Sequence, residues 1–361
     1  MKHSGLATVA QLHEFDEIVD VRSPSEYAED HIPGAINCPV LNDAERVRVG
    51  TLYKQSPFEA KKIGAALVAR NIAHHLETVW LDKPKSWRPL IYCWRGGQRS
   101  GAMTHILRQI GFAADRLDGG YKSYRQHVRE QLLVLPEKFS FYVLCGLTGS
   151  GKSRLLTVLQ QAGAQVLDLE AIAQHRGSVL GDMPNAPQPA QKGFDSQLLS
   201  RLQSFNPAQP VFVESESKKI GTIRVPDTLI AAMWGSPCLR LESPVTVRVA
   251  LLREDYAHFL HDPALLRQQL DRLQGMYSNE LLAHWHALCE EQAWDEFIAE
   301  LLERHYDPAY SKSIRNNYLH YEQSSRLNLN SLNEQDFKRL AEEALALASD
   351  FVNNGGITQE L

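Results

Sequence analysis

The segment FYVLCGLTGSGKSRLLTVLQQAG restricts the possible folds of this chain more than any other part of its sequence. An apolar run predicts a strand, and the spacing after Lys152 predicts an amphipathic helix. Between them lies Gly146-x-x-x-x-Gly151-Lys152-Ser153, a phosphate-binding pattern in the context that it requires. The sequence therefore predicts an α/β unit whose strand leads into an anion-binding loop.

This loop, the Walker A pattern, has a physical rationale for diphosphate. Glycines let backbone N–H groups approach phosphate oxygens, Lys152 can bridge those oxygens, and the Ser153 hydroxyl can hold Mg²⁺. The predicted diphosphate-binding residues are Gly146, Thr148, Gly149, Ser150, Gly151, Lys152 and Ser153.

A second predicted anion loop is CWRGGQRS, from Cys93 to Ser100. The preceding PLIYC has strand character, and the following segment has helical spacing that Gly111 closes. Cys93 then lies where a strand meets a helix N-terminus, and this geometry stabilises both bound anions and a thiolate. We predict Cys93 as the catalytic residue. The predicted oxyanion-binding residues are Trp94, Arg95, Gly96, Gly97, Gln98 and Arg99.

Two chemistries fit this second loop. A cysteine and an arginine with five residues between them are what a cysteine phosphatase uses to hold phosphate, and a rhodanese-type sulfurtransferase carries sulfur on a similar thiol. Sulfurtransferase loops usually close within six residues, whereas Cys93 to Arg99 spans seven, the length of the phosphatase branch. The longer loop can hold a tetrahedral oxyanion.

Length and composition predict a multidomain globular protein. At 361 residues, with 43% hydrophobic and 22% charged residues, the chain is expected to form about two domains. No apolar stretch approaches membrane-spanning length and no signal-peptide apolar region is evident, so we expect a cytoplasmic protein without membrane contact. The predicted divisions are a first domain over 1–130, a connector over 131–139, a phosphate-binding α/β domain over 140–245, and a helical region over 246–361 packed on it.

Cysteine usage and charge exclude several classes of protein. The five cysteines are widely spaced without a CxxC pair, which argues against a disulfide framework and a zinc site. The formal net charge of −5 predicts no general affinity for nucleic acid, so any RNA must bind to a local basic patch.

Further polar residues accompany the Lys152 loop. PVFVESES resembles a Walker B strand and ends in Glu214 and Glu216, which are either Mg²⁺ ligands through water or solvated charges at a strand end. Asp168 ends another predicted strand. The polar stretch after it contains His175, Arg176, Gly177, Ser178 and Lys192, which suit a flap over an anion or a plain surface loop.

The first 125 residues or so resemble the rhodanese family. DVRSPSEYAEDHIPGAINCP matches the family's opening signature, with Asp20 and Arg22 at the strand end, and LDGGYKSYR lies near the end of the resemblance. Asp20 and Arg22 either support the site or form ion pairs that order loops.

Taken together, CWRGGQRS, GLTGSGKS, LDLEAIAQHRGS and VFVESESKKIG, in this order, resemble the tRNA 2-selenouridine synthase family over nearly the whole chain. The resemblance implies an N-terminal rhodanese-like domain and a P-loop NTPase-like α/β domain with a helical C-terminal region. It implies a tRNA-modifying transferase that geranylates wobble 2-thiouridine with geranyl diphosphate and then exchanges the geranylated sulfur for selenium from selenophosphate. Both small molecules are substrates. No tightly bound cofactor is expected, and Mg²⁺ at Ser153 is optional.

Two rival interpretations remain at this stage. One is a P-loop kinase or ATPase with an appended rhodanese-like phosphatase or sulfurtransferase domain. The other is a scaffold in which the first domain only binds a partner.

Overall fold

The computed structural model describes residues 5–178, 180–183 and 186–353, which form two compact units. The first unit contains the chain as far as residue 131 together with residues 189–200. The second unit contains residues 132–188 and the chain from residue 201 onwards. Both units combine a parallel sheet with helices, as the sequence predicts.

The first unit has a five-stranded parallel sheet. Its strands are β1 (Leu6–Ala7), β2 (Glu17–Asp20), β3 (Ile36–Asn37), β4 (Pro89–Tyr92) and β5 (Asp115–Leu117). They lie in the order β1-β5-β4-β2-β3, so β4 is central. Every residue of β4 is buried, because helices cover both faces of a parallel sheet. The predicted strand PLIY is therefore confirmed, and Cys93 follows its last residue.

Five helices accompany this sheet. They are α1 (Pro24–Glu29), α2 (Asp43–Gln55), α3 (Pro57–Thr78), α4 (Gln98–Ile110) and α5 (Gly120–Val134), and a 3₁₀ turn spans Val9–Glu14. Helix α4 begins directly after the Cys93 loop. It ends at Gly111, which has a φ of 111° and caps the helix in the left-handed conformation, as predicted.

The second unit has its own parallel sheet. Its strands are β6 (Phe141–Cys145), β7 (Gln165–Leu167), β8 (Val211–Glu214), β11 (Cys238–Glu242) and β12 (Ser325–Asn328), while β9 (Lys219–Ile220) and β10 (Ile223–Arg224) form a separate hairpin. The order is β12-β11-β6-β8-β7, which places β6 in the centre. Strands β7 and β8 lie on one side of β6, and β11 and β12 lie on the other, so the strand order reverses at β6. Ligands of open α/β sheets bind outside the carboxyl ends of the strands at such a point. The loop after β6 is the predicted Walker A loop.

The remaining helices belong mainly to the second unit. They are α6 (Lys152–Gln161), α7 (Leu169–Ala173), α8 (Gln191–Gln203), α9 (Asp227–Trp234), α10 (Val245–Asp255), α11 (Ala257–His261), α12 (Pro263–Leu270), α13 (Asn279–Glu290), α14 (Trp294–Leu301), α15 (Asp307–Asn317) and α16 (Glu334–Asn353). Two 3₁₀ turns cover Pro136–Lys138 and Asp271–Leu273, and a π-helical segment covers Leu302–Tyr306. Helix α8 crosses the boundary between the units at residue 200.

The helical C-terminal region is confirmed, with one difference. Strand β12 pairs in parallel with β11 and extends the sheet, although the sequence predicted a predominantly helical region beyond residue 245 and no strand was singled out there. Only Leu327 of this strand is buried, because β12 lies at the sheet edge. A strand of four residues with one buried side chain shows too little alternation of apolar and polar residues to be recognised among predicted helices.

Candidate active sites

Cys93 lies in a tight loop between β4 and α4. Its side chain is buried, and its Sγ is 3.2 Å from the Ser100 hydroxyl, which lies in the first turn of α4. Because the backbone N–H groups at the start of a helix have no intrahelical partner, this end of α4 favours an anion or a thiolate. Ser100 can donate to the sulfur once the thiol has lost its proton.

The shape of the Cys93 loop depends on close backbone contacts. Tyr121 N donates to Cys93 O at 2.8 Å, so the start of α5 supports the loop. Gly120 has a φ of 60°, and a Cβ there would lie 2.3 Å from Cys93 O and 2.4 Å from Gly96 N. No side chain fits that space. Gly120 is thus required by the loop geometry, although the sequence marked only Gly96 and Gly97.

The predicted oxyanion-binding side chains differ in their surroundings. Arg95 and Gln98 are exposed, and Trp94 is 37% exposed. Arg99 donates to the Glu26 carboxylate through Nη1 at 2.7 Å and Nη2 at 3.3 Å. Although burial raises it, the pKa of Glu26 is held below its usual value by Arg99. Arg99 is therefore fixed by an ion pair, and Arg95 is the exposed cation of this loop.

Asp20 and Arg22 form a buried pair at the end of β2. The Arg22 guanidinium donates to both Asp20 oxygens, with the shortest contact 2.6 Å, and to the carbonyl of Asp30 at 2.6 Å. Its guanidinium carbon also lies 3.8 Å from the ring centroid of Tyr121. Both side chains are at most 1% exposed. The pair orders the loops under the Cys93 segment, and the structure gives it no exposed group to offer a ligand.

The Lys152 loop borders a cavity of about 560 Å³ in the second unit, which we call the P-loop cavity. Loop residues 148–153 line one side, and residues from the ends of β7 and β8, from α10 and from α15 line the rest. Of the predicted supporting residues, Asp168, Arg176 and Glu216 line the cavity. A cavity of this size is typical of small-molecule sites.

Lys152 is held by its own loop. Its Nζ donates to Gly146 O at 2.8 Å and to Leu147 O at 3.3 Å, and it lies 5.0 Å from the ring centroid of Tyr310. Burial lowers the pKa of the ammonium, and nearby carboxylates oppose that effect. The cation is therefore held beside its own loop at the wall of the P-loop cavity.

Carboxylates surround the same cation. Ser153 Oγ donates to Glu170 Oε2 at 3.3 Å. Burial raises the pKa of Glu170 to about 7, and burial together with Glu170 raises that of Glu216 to about 8. Gly177 lies against both carboxylates, since a Cβ there would lie 2.8 Å from Glu216 Oε1 and 2.9 Å from Glu170 Oε1. The carboxylate wall near Lys152, formed by Glu170 and Glu216, therefore holds protons near neutral pH.

Glu214 and Asp168 lie at the base of this wall. Glu214 is buried and does not line the cavity; its Oε1 accepts from Glu170 N at 2.9 Å, and its Oε2 has no hydrogen-bond partner. Burial raises its pKa well above the usual value. Asp168 caps α7 by accepting from Ala171 N at 2.8 Å, and burial raises its pKa too. Glu214 thus fixes the backbone of Glu170 through this hydrogen bond.

The polar stretch after Asp168 divides into separate roles. Arg176 lines the cavity, lies 4.5 Å from the Tyr256 ring centroid and donates to Asp255 O. His175 is buried away from the cavity, where its Nδ1 accepts from Gly177 N at 3.1 Å; burial lowers its pKa. Lys192 belongs to α8 in the first unit and pairs with Glu29 at 2.7 Å. Of the five residues that the sequence singled out in this stretch, Arg176, Gly177 and Ser178 line the cavity.

Family comparisons agree with this two-site arrangement. Residues 6–127 match the rhodanese-like domain, and residues 139–290 match the tRNA 2-selenouridine synthase AAA domain. The tRNA 2-selenouridine synthase of Hydrogenovibrio crunogenus is 33% identical over 82% of this chain and 89% of its own length. The chain belongs to the tRNA 2-selenouridine synthase family. Its relatives of that name in Bdellovibrio bacteriovorus and Nitrosomonas europaea are 31% and 38% identical, over 84% and 66% of this chain and over 90% and 63% of their own lengths.

In this member of the tRNA 2-selenouridine synthase family, sequence reasoning missed several site residues. Glu170 could have been found, because it is an acidic residue two positions after the predicted strand end at Asp168. Ser100 ends the quoted Cys93 segment. Tyr310, in contrast, comes from α15 and carries no local signal. Among the described residues, no helix is long and apolar enough to cross a membrane.

Proposed function

We propose that this chain is a tRNA-modifying transferase that works in two steps. It geranylates 2-thiouridine at the wobble position of tRNA with geranyl diphosphate, and it then replaces the geranylated sulfur with selenium from selenophosphate to give 2-selenouridine. Membership of the tRNA 2-selenouridine synthase family supports the overall reaction. The presence of two different anion loops, one with a thiol and one with a lysine, supports two chemical steps. A tRNA substrate places the reaction in the cytoplasm.

The Lys152 loop suits the geranyl transfer. The thiocarbonyl sulfur attacks C1 of geranyl diphosphate, a carbon–sulfur bond forms, the carbon–oxygen bond breaks, and diphosphate leaves with the electron pair. Charge develops on the leaving group, so donors that are already in place lower the barrier. Lys152, the loop N–H groups and Arg176 supply those donors on the walls of the P-loop cavity.

Mg²⁺ fits the residues beside this loop. No group of three or more His, Cys, Asp or Glu side chains is arranged to hold a metal ion within the described ranges. Mg²⁺ commonly takes only one or two carboxylates and completes its shell with substrate phosphates and water. Ser153 and Glu170, whose side chains already meet, would hold it. It would neutralise diphosphate charge.

The Cys93 loop suits the selenium step. The selenium of selenophosphate attacks C2 of the geranylated uridine, a carbon–selenium bond forms, the carbon–sulfur bond breaks and geranylthiol leaves. Water then cleaves the selenium–phosphorus bond and releases phosphate. The seven-residue loop at the start of α4 supplies backbone donors for the oxyanion of selenophosphate, Arg95 adds charge, and Cys93 adds a soft thiol beside them. This combination of a phosphatase-like oxyanion site and a reactive thiol suits the exchange of sulfur for selenium.

Nucleoside mass spectrometry tests the proposal. Purified protein, 2-thiouridine tRNA and geranyl diphosphate should yield the geranylated nucleoside, and addition of selenophosphate should convert it to 2-selenouridine. Cells without the chain should lack both nucleosides. Hydrolysis of ATP stimulated by Mg²⁺, without either nucleoside, would instead support the kinase or ATPase interpretation.

A further inference from the structure

A second, apolar pocket lies beside the P-loop cavity, inside the helical core of the second unit. Its volume is about 50 Å³, and helices α10, α11, α12 and α14 supply most of its wall. The side chains that define this apolar pocket are Leu252, Phe259, Leu266, Trp294, Phe297 and Ile298. All except Leu252 are at least nine-tenths buried.

The apolar pocket and the P-loop cavity share a wall. Thr148, Leu252, Tyr256 and Tyr306 line both. Leu252 packs directly on the phosphate loop, since a Cβ at Gly149 would lie 2.9 Å from its Cγ. The apolar surface therefore contacts the loop that is predicted to bind diphosphate. A packing void unrelated to ligand binding would not be expected to share its lining residues with the P-loop cavity.

The arrangement of the apolar pocket beside the P-loop cavity matches the structure of a prenyl diphosphate. Its apolar chain is bonded directly to the diphosphate, so a site must place an apolar wall next to its anion loop. Burial of the chain is favourable in proportion to the apolar area removed from water. Residues of the apolar pocket offer that area, with Tyr256 and Arg176 at its border with the cavity.

We infer that the apolar pocket binds the far end of the prenyl chain and limits its length. The inference rests on the proposed function. For comparison, an apolar cavity of about 150 Å³ binds a benzene ring. At about 50 Å³, this pocket admits only the end of a chain, whose remainder lies along Leu252 and Tyr256 in the P-loop cavity. A farnesyl chain, with five more carbons than geranyl, exceeds that space.

Two substitutions with opposite effects test the inference. Phe297→Ala enlarges the pocket and Ile298→Trp fills it. Leu288→Ala is the matched control, because Leu288 belongs to the same helical core without lining the pocket. Each protein receives a mixture of dimethylallyl, geranyl and farnesyl diphosphates with 2-thiouridine tRNA. The ratios of the three products are read from one digest, so they do not depend on the folded fraction.

The wild type should prefer geranyl over farnesyl by about tenfold or more, as expected for excess methylenes in an apolar pocket. Phe297→Ala should raise the farnesyl-to-geranyl ratio about tenfold, and Ile298→Trp should raise the dimethylallyl-to-geranyl ratio about tenfold. Leu288→Ala should leave both ratios within about twofold of wild type. Calorimetry with inorganic diphosphate should give unchanged affinity in all three variants.

Unchanged ratios in both pocket variants, with a wild type that geranylates, would overturn the inference and leave the proposed function standing. A wild type that binds inorganic diphosphate but transfers no prenyl group would overturn the proposed function and this inference with it. Equal ratio changes in Leu288→Ala and Phe297→Ala would show that general loosening of the core sets chain length, which also overturns the inference.

Discussion

The Lys152 ammonium donates a 2.8 Å hydrogen bond to the carbonyl of Gly146, the first glycine of its own loop. This bond keeps the cation at the loop, and the carboxylates of Glu170 and Glu216, which line the same cavity, interact with it electrostatically. We expect a diphosphate at this loop to replace a loop carbonyl as the acceptor of the ammonium, which is already held close by.

Removal of this cation should stop the first step. We expect Lys152→Ala to lower the rate of geranyl transfer by about 10²–10³, the usual cost of losing one electrostatic stabiliser of a leaving group. Single-turnover geranylation of 2-thiouridine tRNA measures the change. Lys338→Ala is the control, since Lys338 forms an exposed pair with Glu334 on α16. Normal geranylation and normal affinity for geranyl diphosphate in Lys152→Ala would show that the loop serves another ligand.

Local patterns predicted the two anion loops because each joins a buried strand to a helix through glycines, and these features are contiguous in sequence. The carboxylate wall could not be predicted in this way. Glu170 and Glu216 are 46 residues apart and meet only because β7 and β8 are neighbours in the sheet. The pairing of Arg99 with Glu26 and the support of the Cys93 loop by Gly120 likewise depend on tertiary contacts.

The carboxylate wall should make stability depend on pH. The folded pKa values of Glu170 and Glu216, about 7 and 8, lie above the usual value for glutamate, so the folded state binds more protons than the unfolded state. This stabilisation is complete below the unfolded pKa and is lost as the pH rises through 7 to 8. Glu216→Gln should therefore reduce the fall in Tm between pH 6 and pH 9, by about 2 °C or more.

Differential scanning calorimetry of the ligand-free protein measures this fall. Glu343→Gln is the control, because Glu343 is an exposed partner of Arg339 on α16. The same dependence of Tm on pH in wild type and Glu216→Gln would mean that Glu216 is ionised throughout the range.

The close approach of Gly120 to the Cys93 loop gives a test with a matched control. Gly120→Ala places a methyl group on Cys93 O, whereas Gly34→Ala has a similarly positive φ of 81° but nothing within 4 Å of the new Cβ. Both changes should lower the stability of the folded state by about 1–2 kcal/mol, because alanine disfavours the left-handed backbone conformation. Only Gly120→Ala should also displace the loop and slow alkylation of Cys93. Equal alkylation rates in the two variants would show that the loop tolerates the contact.

Binding of tRNA should depend on local basic residues because the net charge is −5. Lys122 is exposed at the start of α5, and its backbone N donates to Trp94 O at 3.0 Å, which places it next to the Cys93 loop. Lys122→Glu should weaken tRNA binding and reduce the salt slope of log K by about 1. Lys61→Glu, on α3, makes the same charge change as a control. A flat salt dependence of the wild type would argue against phosphate contacts altogether.

Loss of the thiol should separate the two chemical steps. Cys93 lies in the first unit and the Lys152 loop in the second, so we expect Cys93→Ser to geranylate normally but to form no 2-selenouridine. The serine hydroxyl keeps a similar shape, but its pKa is too high to supply a soft anion near neutral pH. Both nucleosides are measured in one digest, with Cys38→Ala as a control because Cys38 is a buried core thiol of the same unit. Wild-type levels of 2-selenouridine in Cys93→Ser would remove the thiol from the mechanism and leave the loop as an oxyanion site only. Loss of both nucleosides would mean that the two loops act together in the first step.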